Sequence, residues 1–137
     1  MDYSQLLVKE YTHWLVQVHE NQGYLGRCVV WCKREDANDL TEVTKDEYEE
    51  LLRILKALKT AATNAFKTDW FNYAFLGNET PHLHGHFVPR YSSSREFMST
   101  TFIDELWGHN YKTDKSFITT PELLEEVKLK LAEELSK

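Results

Sequence analysis

Cysteine is nearly missing from the chain, which has two in 137 residues. Cys28 and Cys32 both lie in the apolar run Cys28-Val29-Val30-Trp31-Cys32. That run reads as a strand, which would separate them by about 13 Å, whereas a disulfide needs Cα atoms within about 7 Å. A local bridge is therefore excluded, and two small buried apolar residues in a reducing compartment are expected. With only 3 Pro and 5 Gly, collagen-like and linker-rich organisation is excluded as well. No apolar run approaches the roughly 20 residues needed to span a bilayer. The start, Met1-Asp2-Tyr3-Ser4-Gln5, lacks a basic region ahead of a hydrophobic stretch. A cytoplasmic protein without membrane contact is expected. Positive charge is in deficit, with 16 Lys and Arg against 22 Asp and Glu and a net charge of -6. A general electrostatic grip on nucleic acid is thereby disfavoured, and any bound phosphate must be held by a local cluster.

What the chain does have is 42% hydrophobic residues with 7 Phe, 7 Tyr and 4 Trp, enough for one real core. Its length suits a single domain over 1–137. The clearest helix is predicted over about 45–66, because Leu51, Leu55, Leu58, Ala62 and Ala65 recur at helical spacing with charge on the other face. Thr44-Lys45-Asp46-Glu47 spells a capping box, with Val43 and Tyr48 in the positions of a hydrophobic staple. A C-terminal helix is predicted from the N-cap candidate Thr120 and Pro121, with Leu124, Val127, Leu131 and Leu135 as its packing stripe. A short helix through Leu6, Leu7 and Tyr11 is expected near the start. Strands are predicted near 14–18, 27–33, 70–76 and 82–89, joined by turns at Asn21-Gln22-Gly23 and Gly77-Asn78, with a loop from Tyr91 to Arg95. The first two read as one antiparallel hairpin and the last two as another. The expected class is α+β: an antiparallel sheet of about five strands with a long central helix and a C-terminal helix.

Three of the 6 histidines fall in the pentapeptide His82-Leu83-His84-Gly85-His86. On a strand the side chains alternate, so these imidazoles are expected in a row on one face at about 7 Å intervals, with Leu83 and Phe87 on the other. Such a row permits metal coordination, or nucleophilic attack by one ring while its neighbours donate hydrogen bonds to an anion. The bland alternative is decoration of an exposed strand. Metal chelation by His-x-His is common, but a (β/α)8 barrel takes about 250 residues and the two helices argue against a small all-β metal site. Glu79, the nearest carboxylate in sequence, sits in a turn. No metal ligand is expected. A nucleophilic role is chemically sound, because an imidazole with an ordinary pKa near 6.5 has a free lone pair at pH 7.

His82-Leu83-His84-Gly85-His86-Phe87-Val88 resembles the His-φ-His-φ-His-φ-φ motif, φ being hydrophobic, of the histidine-triad nucleotide hydrolases and transferases. Gly85 is the one departure. The likeness extends over about 24–91 through Pro89-Arg90, Gly77-Asn78, Gly26, the Val29-Val30 pair, Lys33-Arg34, Asp39-Leu40, Thr44 and Glu47. The family often has Pro-Gly-His at the glycine turn, where this chain has Leu25-Gly26-Arg27. The resemblance implies that His84 attacks the α-phosphorus of a nucleotide to give a nucleotidyl-histidine intermediate. It implies that His82 and His86 hydrogen-bond phosphoryl oxygens or the departing group, and that Asn78 contacts the phosphate. The family's ribose-holding asparagine corresponds to either His19 or Asn21, and Arg90 is a candidate counter-charge for a polyphosphate. Trp107-Gly108-His109-Asn110-Tyr111 is either a specificity segment reaching the site or a surface turn with a packed Trp. A hydrolase of dinucleoside polyphosphates or nucleoside phosphoramidates is implied, without a cofactor and as a homodimer with a sheet continued between protomers. His86 favours hydrolysis, because relatives that transfer nucleotides between sugars resemble His-x-His-x-Gln. Alternatives are a non-catalytic nucleotide-binding or interaction module on the same fold, and a small zinc-dependent hydrolase.

Overall fold

The computed structural model describes residues 3–137. A 3-10 turn (Tyr3–Leu6) leads into strands β1 (Leu7–Glu10), β2 (Trp14–Val18) and β3 (Cys28–Cys32). After a second 3-10 turn (Leu40–Glu42) come helix α1 (Lys45–Phe66) and strands β4 (Trp70–Ala74) and β5 (His84–Arg90). A small hairpin, β6 (Arg95–Phe97) and β7 (Thr100–Phe102), and helix α2 (Pro121–Leu135) complete the chain. The main sheet has five antiparallel strands in the order β1-β2-β3-β5-β4, so the α+β expectation holds.

Helix α1 starts where its sequence says it should. The Thr44 hydroxyl accepts from the Glu47 N–H and the Glu47 carboxylate accepts from the Thr44 N–H, satisfying two donors that the first turn leaves free. Glu47 also pairs with Arg34 at 2.9 Å, and that hydrogen bond holds its carboxyl below the usual range. Of the two staple positions, Val43 packs on the core while Tyr48 is 57% exposed.

One sheet face carries Trp14, Val16, Val18, Cys28, Val30, Cys32, Phe71 and Phe87, which are buried with Leu51, Ile54, Leu58, Ala62 and Phe66 of α1. Helix α2 adds Leu123, Val127 and Leu131 to the same cluster, with Leu124 and Leu135 at its margin. Both cysteines are free and buried, and burial pushes the Cys28 thiol up to about 12. Among the described residues no helix is long and apolar enough to cross a membrane.

Three local differences from the sequence reading have physical causes. Residues 7–10 form a strand and not a helix, because pairing with β2 satisfies their backbone and Tyr11 N–H closes the turn onto the Trp14 carbonyl at 2.8 Å. Tertiary pairing there outweighs a weak helical pattern. Strand β5 begins at His84 rather than at 82, because Leu83 gives its N–H to the Ala37 carbonyl at 2.9 Å, outside the ladder. The β6–β7 hairpin was not legible, since its turn places Met98 (φ 54) and Ser99 (φ 61) in the left-handed region, where glycine or asparagine is the usual signal.

Candidate active site

The sheet face away from α1 carries the histidines. Register aligns Gln17, Val29, His86 and Ala74 in one row across the strands, and Leu15, Trp31 and His84 in the next. His84 and His86 thus project from one face, with ring centroids 5.4 Å apart. Trp31 stacks on His84 at 4.4 Å. A cavity of about 450 Å³ opens over these rows, lined by Gln17, His19, Val29, Trp31, His84 and His86, with Gly77, Asn78, Glu79 and Thr80 from the β4–β5 loop.

Hydrogen bonds fix which nitrogen of each ring carries the proton. His84 Nδ1 lies 2.7 Å from the His82 carbonyl oxygen, and a carbonyl only accepts, so Nδ1 is the protonated donor. In the neutral ring the lone pair then sits on Nε2. His19 is the reverse: its Nδ1 accepts from the Asn21 backbone N–H at 2.9 Å, which leaves the proton on Nε2. Its ring centroid is 5.8 Å from that of His86. Burial, then the nearby Arg27 charge, lowers the His19 and His86 pKa values to about 4, so both rings stay neutral at pH 7.

The predicted row of three equivalent rings is reduced to two. His82 lies before β5, its Nε2 donates to the Cys32 carbonyl at 2.6 Å, and it does not line the cavity. It reaches the site through its carbonyl, which accepts from His84 Nδ1, and through Trp31, on which its ring stacks at 6.4 Å. Of the paired candidates upstream, His19 lines the cavity. Asn21 turns away, donating to the Asp114 carbonyl at 2.8 Å and accepting from Gly23 N–H.

Arg90 differs most from expectation. It is 3% exposed, with Nε and Nη2 on the Asp104 carboxylate at 2.6 and 3.0 Å. Nη1 bonds Asn72 Oδ1 and the His109 carbonyl, and Nη2 also bonds the Leu106 carbonyl. A guanidinium has about five N–H donors, and these contacts use all of them. None remains for a polyphosphate, and Arg90 instead fastens 104–109 to the sheet.

Sequence reasoning missed Trp31 and Gln17 as part of the cavity floor. Alternation from Val29 and the register with His84 mark them, but only once β2 and β3 are known to flank β5. The 107–111 segment does not line the histidine cavity, although Tyr111 approaches the site indirectly, with the Arg27 guanidinium 5.3 Å from its ring centroid.

Comparison with known proteins bears on the family and the fold. A family model described as the HIT domain matches residues 5–93. A hypothetical histidine triad nucleotide-binding protein from Sulfolobus tokodaii superposes with a TM-score of 0.73 at 19% identity, over 96% of this chain and 83% of that one. A histidine triad protein from Bradyrhizobium japonicum gives 0.73 at 18% identity, over 94% and 89%. One from Marinobacter aquaeolei gives 0.70 at 21%, over 99% and 96%. No curated protein sequence matches the chain.

Proposed function

Since the chain belongs to the HIT-domain family, we propose that it cleaves nucleotides at the α-phosphate through a nucleotidyl-histidine intermediate on His84. The observation that carries this reading is the His84 Nδ1–H bond to the His82 carbonyl, which leaves the Nε2 lone pair free to attack. In the first step Nε2 forms a bond to the α-phosphorus, and the bond from phosphorus to the bridging oxygen or nitrogen breaks. The departing group leaves with the electron pair and is protonated. Water then attacks the same phosphorus and releases a proton to solvent, balancing the one the departing group took from solvent. The P–N bond breaks, and His84 recovers its lone pair as the nucleoside monophosphate departs. His86 and His19, neutral with one N–H each, are donors for the charge developing on the phosphoryl oxygens. Asn78, on the cavity's loop, contacts the phosphate, and His82 serves by holding Trp31 with its ring and the His84 ring with its carbonyl. Dinucleoside polyphosphates and nucleoside phosphoramidates are the substrate classes. A homodimer is part of the reading, since β4 is a sheet edge on which Trp70 and Tyr73 are exposed, with Leu76 exposed just beyond it.

The test is a panel of nucleotides incubated with purified protein, following release of the nucleoside monophosphate. His84→Ala abolishes turnover while keeping nucleotide binding, and His86→Ala lowers the rate by about 10²–10³, the usual cost of one transition-state donor. Rapid quenching followed by mass spectrometry should find a nucleoside monophosphate on the peptide carrying His84. Substantial activity in His84→Ala, or net inversion at phosphorus in a single displacement, would overturn the mechanism.

A further inference from the structure

The cavity explains what holds His84, but the ring beside it is held by a residue from another element. His86 Nδ1 lies 3.3 Å from Nη2 of Arg27. A guanidinium carries only donors, so the lone pair of His86 faces Arg27, and the neutral ring must carry its proton on Nε2. Arg27 is itself rigidly placed. Gly26 (φ +89) turns the chain under the Phe66 ring, 3.1 Å from where a Cβ would stand. The Gln22 amide donates to the Arg27 carbonyl at 2.9 Å. The Arg27 Nη1 donates to Thr113 Oγ1 at 2.7 Å, and its guanidinium lies over Tyr111.

This arginine is also unusual in its charge balance. It is 3% exposed, its Nε has no hydrogen-bond partner, and among the described residues no carboxylate pairs with it. An arginine so buried is normally matched by an acid. Here its neighbours are an imidazole, a hydroxyl and an aromatic ring, so the uncompensated charge acts on His86. A second proton at Nδ1 would face a like charge.

We propose that Arg27 is the positioning residue for His86, holding that ring in the tautomer that offers an Nε2–H to the phosphoryl oxygens or the leaving group. The inference rests on the nucleotidyl-transfer reading above and adds to it a source for the second ring's orientation. His84 and His86 become complementary: one is fixed with a bare Nε2 by a backbone acceptor, the other with a protonated Nε2 by a side-chain donor. The lowered His86 pKa agrees with this arrangement, with burial its first cause and Arg27 its second. The charged and titratable groups around His86 are Arg27 before β3, His84 on β5, His19 after β2 and Tyr111 beside Arg27, with Glu20 and Glu79 on the cavity wall.

The experiment is a ring-nitrogen NMR spectrum of the full chain labelled with 15N, without substrate. The unaltered protein is expected to show His86 with Nδ1 unprotonated and Nε2 protonated. Arg27→Met should give a mixture of tautomers and an upward shift of the His86 titration, while Arg27→Lys, still a donor-only cation, should retain the Nε2–H form. In turnover, Arg27→Met should lower kcat by about 10–100-fold, the scale seen for groups that orient metal-bound imidazoles, with little change in KM, and Arg27→Lys should restore part of it. An Nδ1–H tautomer in the unaltered protein overturns the proposal, and so does an Arg27→Met spectrum identical to it. If Arg27→Met does not fold, Arg27→Gln replaces it with the same expected loss of tautomer control. The spectra need no nucleotide, so absence of turnover in the unaltered protein refutes the enzymatic reading while the ring nitrogens still decide the role of Arg27.

Discussion

Replacing Gly85 by alanine puts a methyl group into occupied space. A Cβ there would lie 2.4 Å from two carbons of the Phe75 ring, whereas carbon atoms rest at about 3.5–4.0 Å. Gly85 is in ordinary strand conformation, the positive-φ glycines being Gly26, Gly77 and Gly108, so no backbone strain enters. Two effects therefore compete. Losing glycine's excess unfolded-state freedom stabilises by about 0.5–1 kcal/mol, and overpacking costs about 1–3 kcal/mol. The net loss should be about 1–2 kcal/mol, or roughly 3–8 °C in Tm for a domain of this size. Phe75 is half-buried against the core, so its ring must shift within that packing to make room. The decisive assay is urea unfolding in two backgrounds. Gly85→Ala should destabilise the natural chain and stabilise a Phe75→Ala chain, because removing the ring leaves only the favourable entropic effect. The same sign in both backgrounds would refute the account of why the motif carries glycine here.

Asp104→Asn should cost about 3–5 kcal/mol, since it leaves Arg90 buried without its carboxylate; thermal unfolding measures this, and nucleotide turnover below the new Tm should stay close to normal because Arg90 has no donor for substrate. Stability should fall as pH drops from about 6.5 to about 4, because unfolded histidines take up protons that native His19 and His86, with pKa values of about 4, refuse. Urea midpoints at about pH 7.5 and 5 test the sign, and His19→Asn should flatten the slope. Treatment with chelators should leave binding of nucleoside monophosphates intact, whereas one tightly held zinc per chain, lost together with activity, would reverse the assignment of the imidazoles.

Much of this was legible because the signals are local. The α1 start is written within Thr44-Lys45-Asp46-Glu47, and the alternation of His84 and His86 needs only the strand period. Other features depend on partners far along the chain. Residues 7–10 become a strand because β2 offers a free edge. Arg90 reads as a surface arginine until Asp104, Leu106 and His109 close around it. His82 shares the spacing of the other two histidines but lies just outside the ladder, and its ring turns to the Cys32 carbonyl. Asn21 and His19 are equivalent in sequence, and only the turn closed by Gln22 sends one into the cavity and the other toward Asp114.

The clasp formed by the segment after β7 fixes the order in which the site can be assembled. Every histidine of the cavity lies within the first 86 residues, yet the parts that hold them arrive later. Asn21 reaches the Asp114 carbonyl, Gln22 N–H reaches Thr119 Oγ1, and Arg27 reaches Thr113 Oγ1, across 93, 97 and 86 residues of sequence. During synthesis a nascent chain that has already displayed His84 and His86 still lacks the residues that seat Arg27 and brace the 19–27 turn. Contacts this distant in sequence also close slowly, since loop entropy is lost before they repay it. The sheet and α1 are thus encoded ahead of the residues that brace Arg27, and the 19–27 turn is fully held only when 113–119 docks.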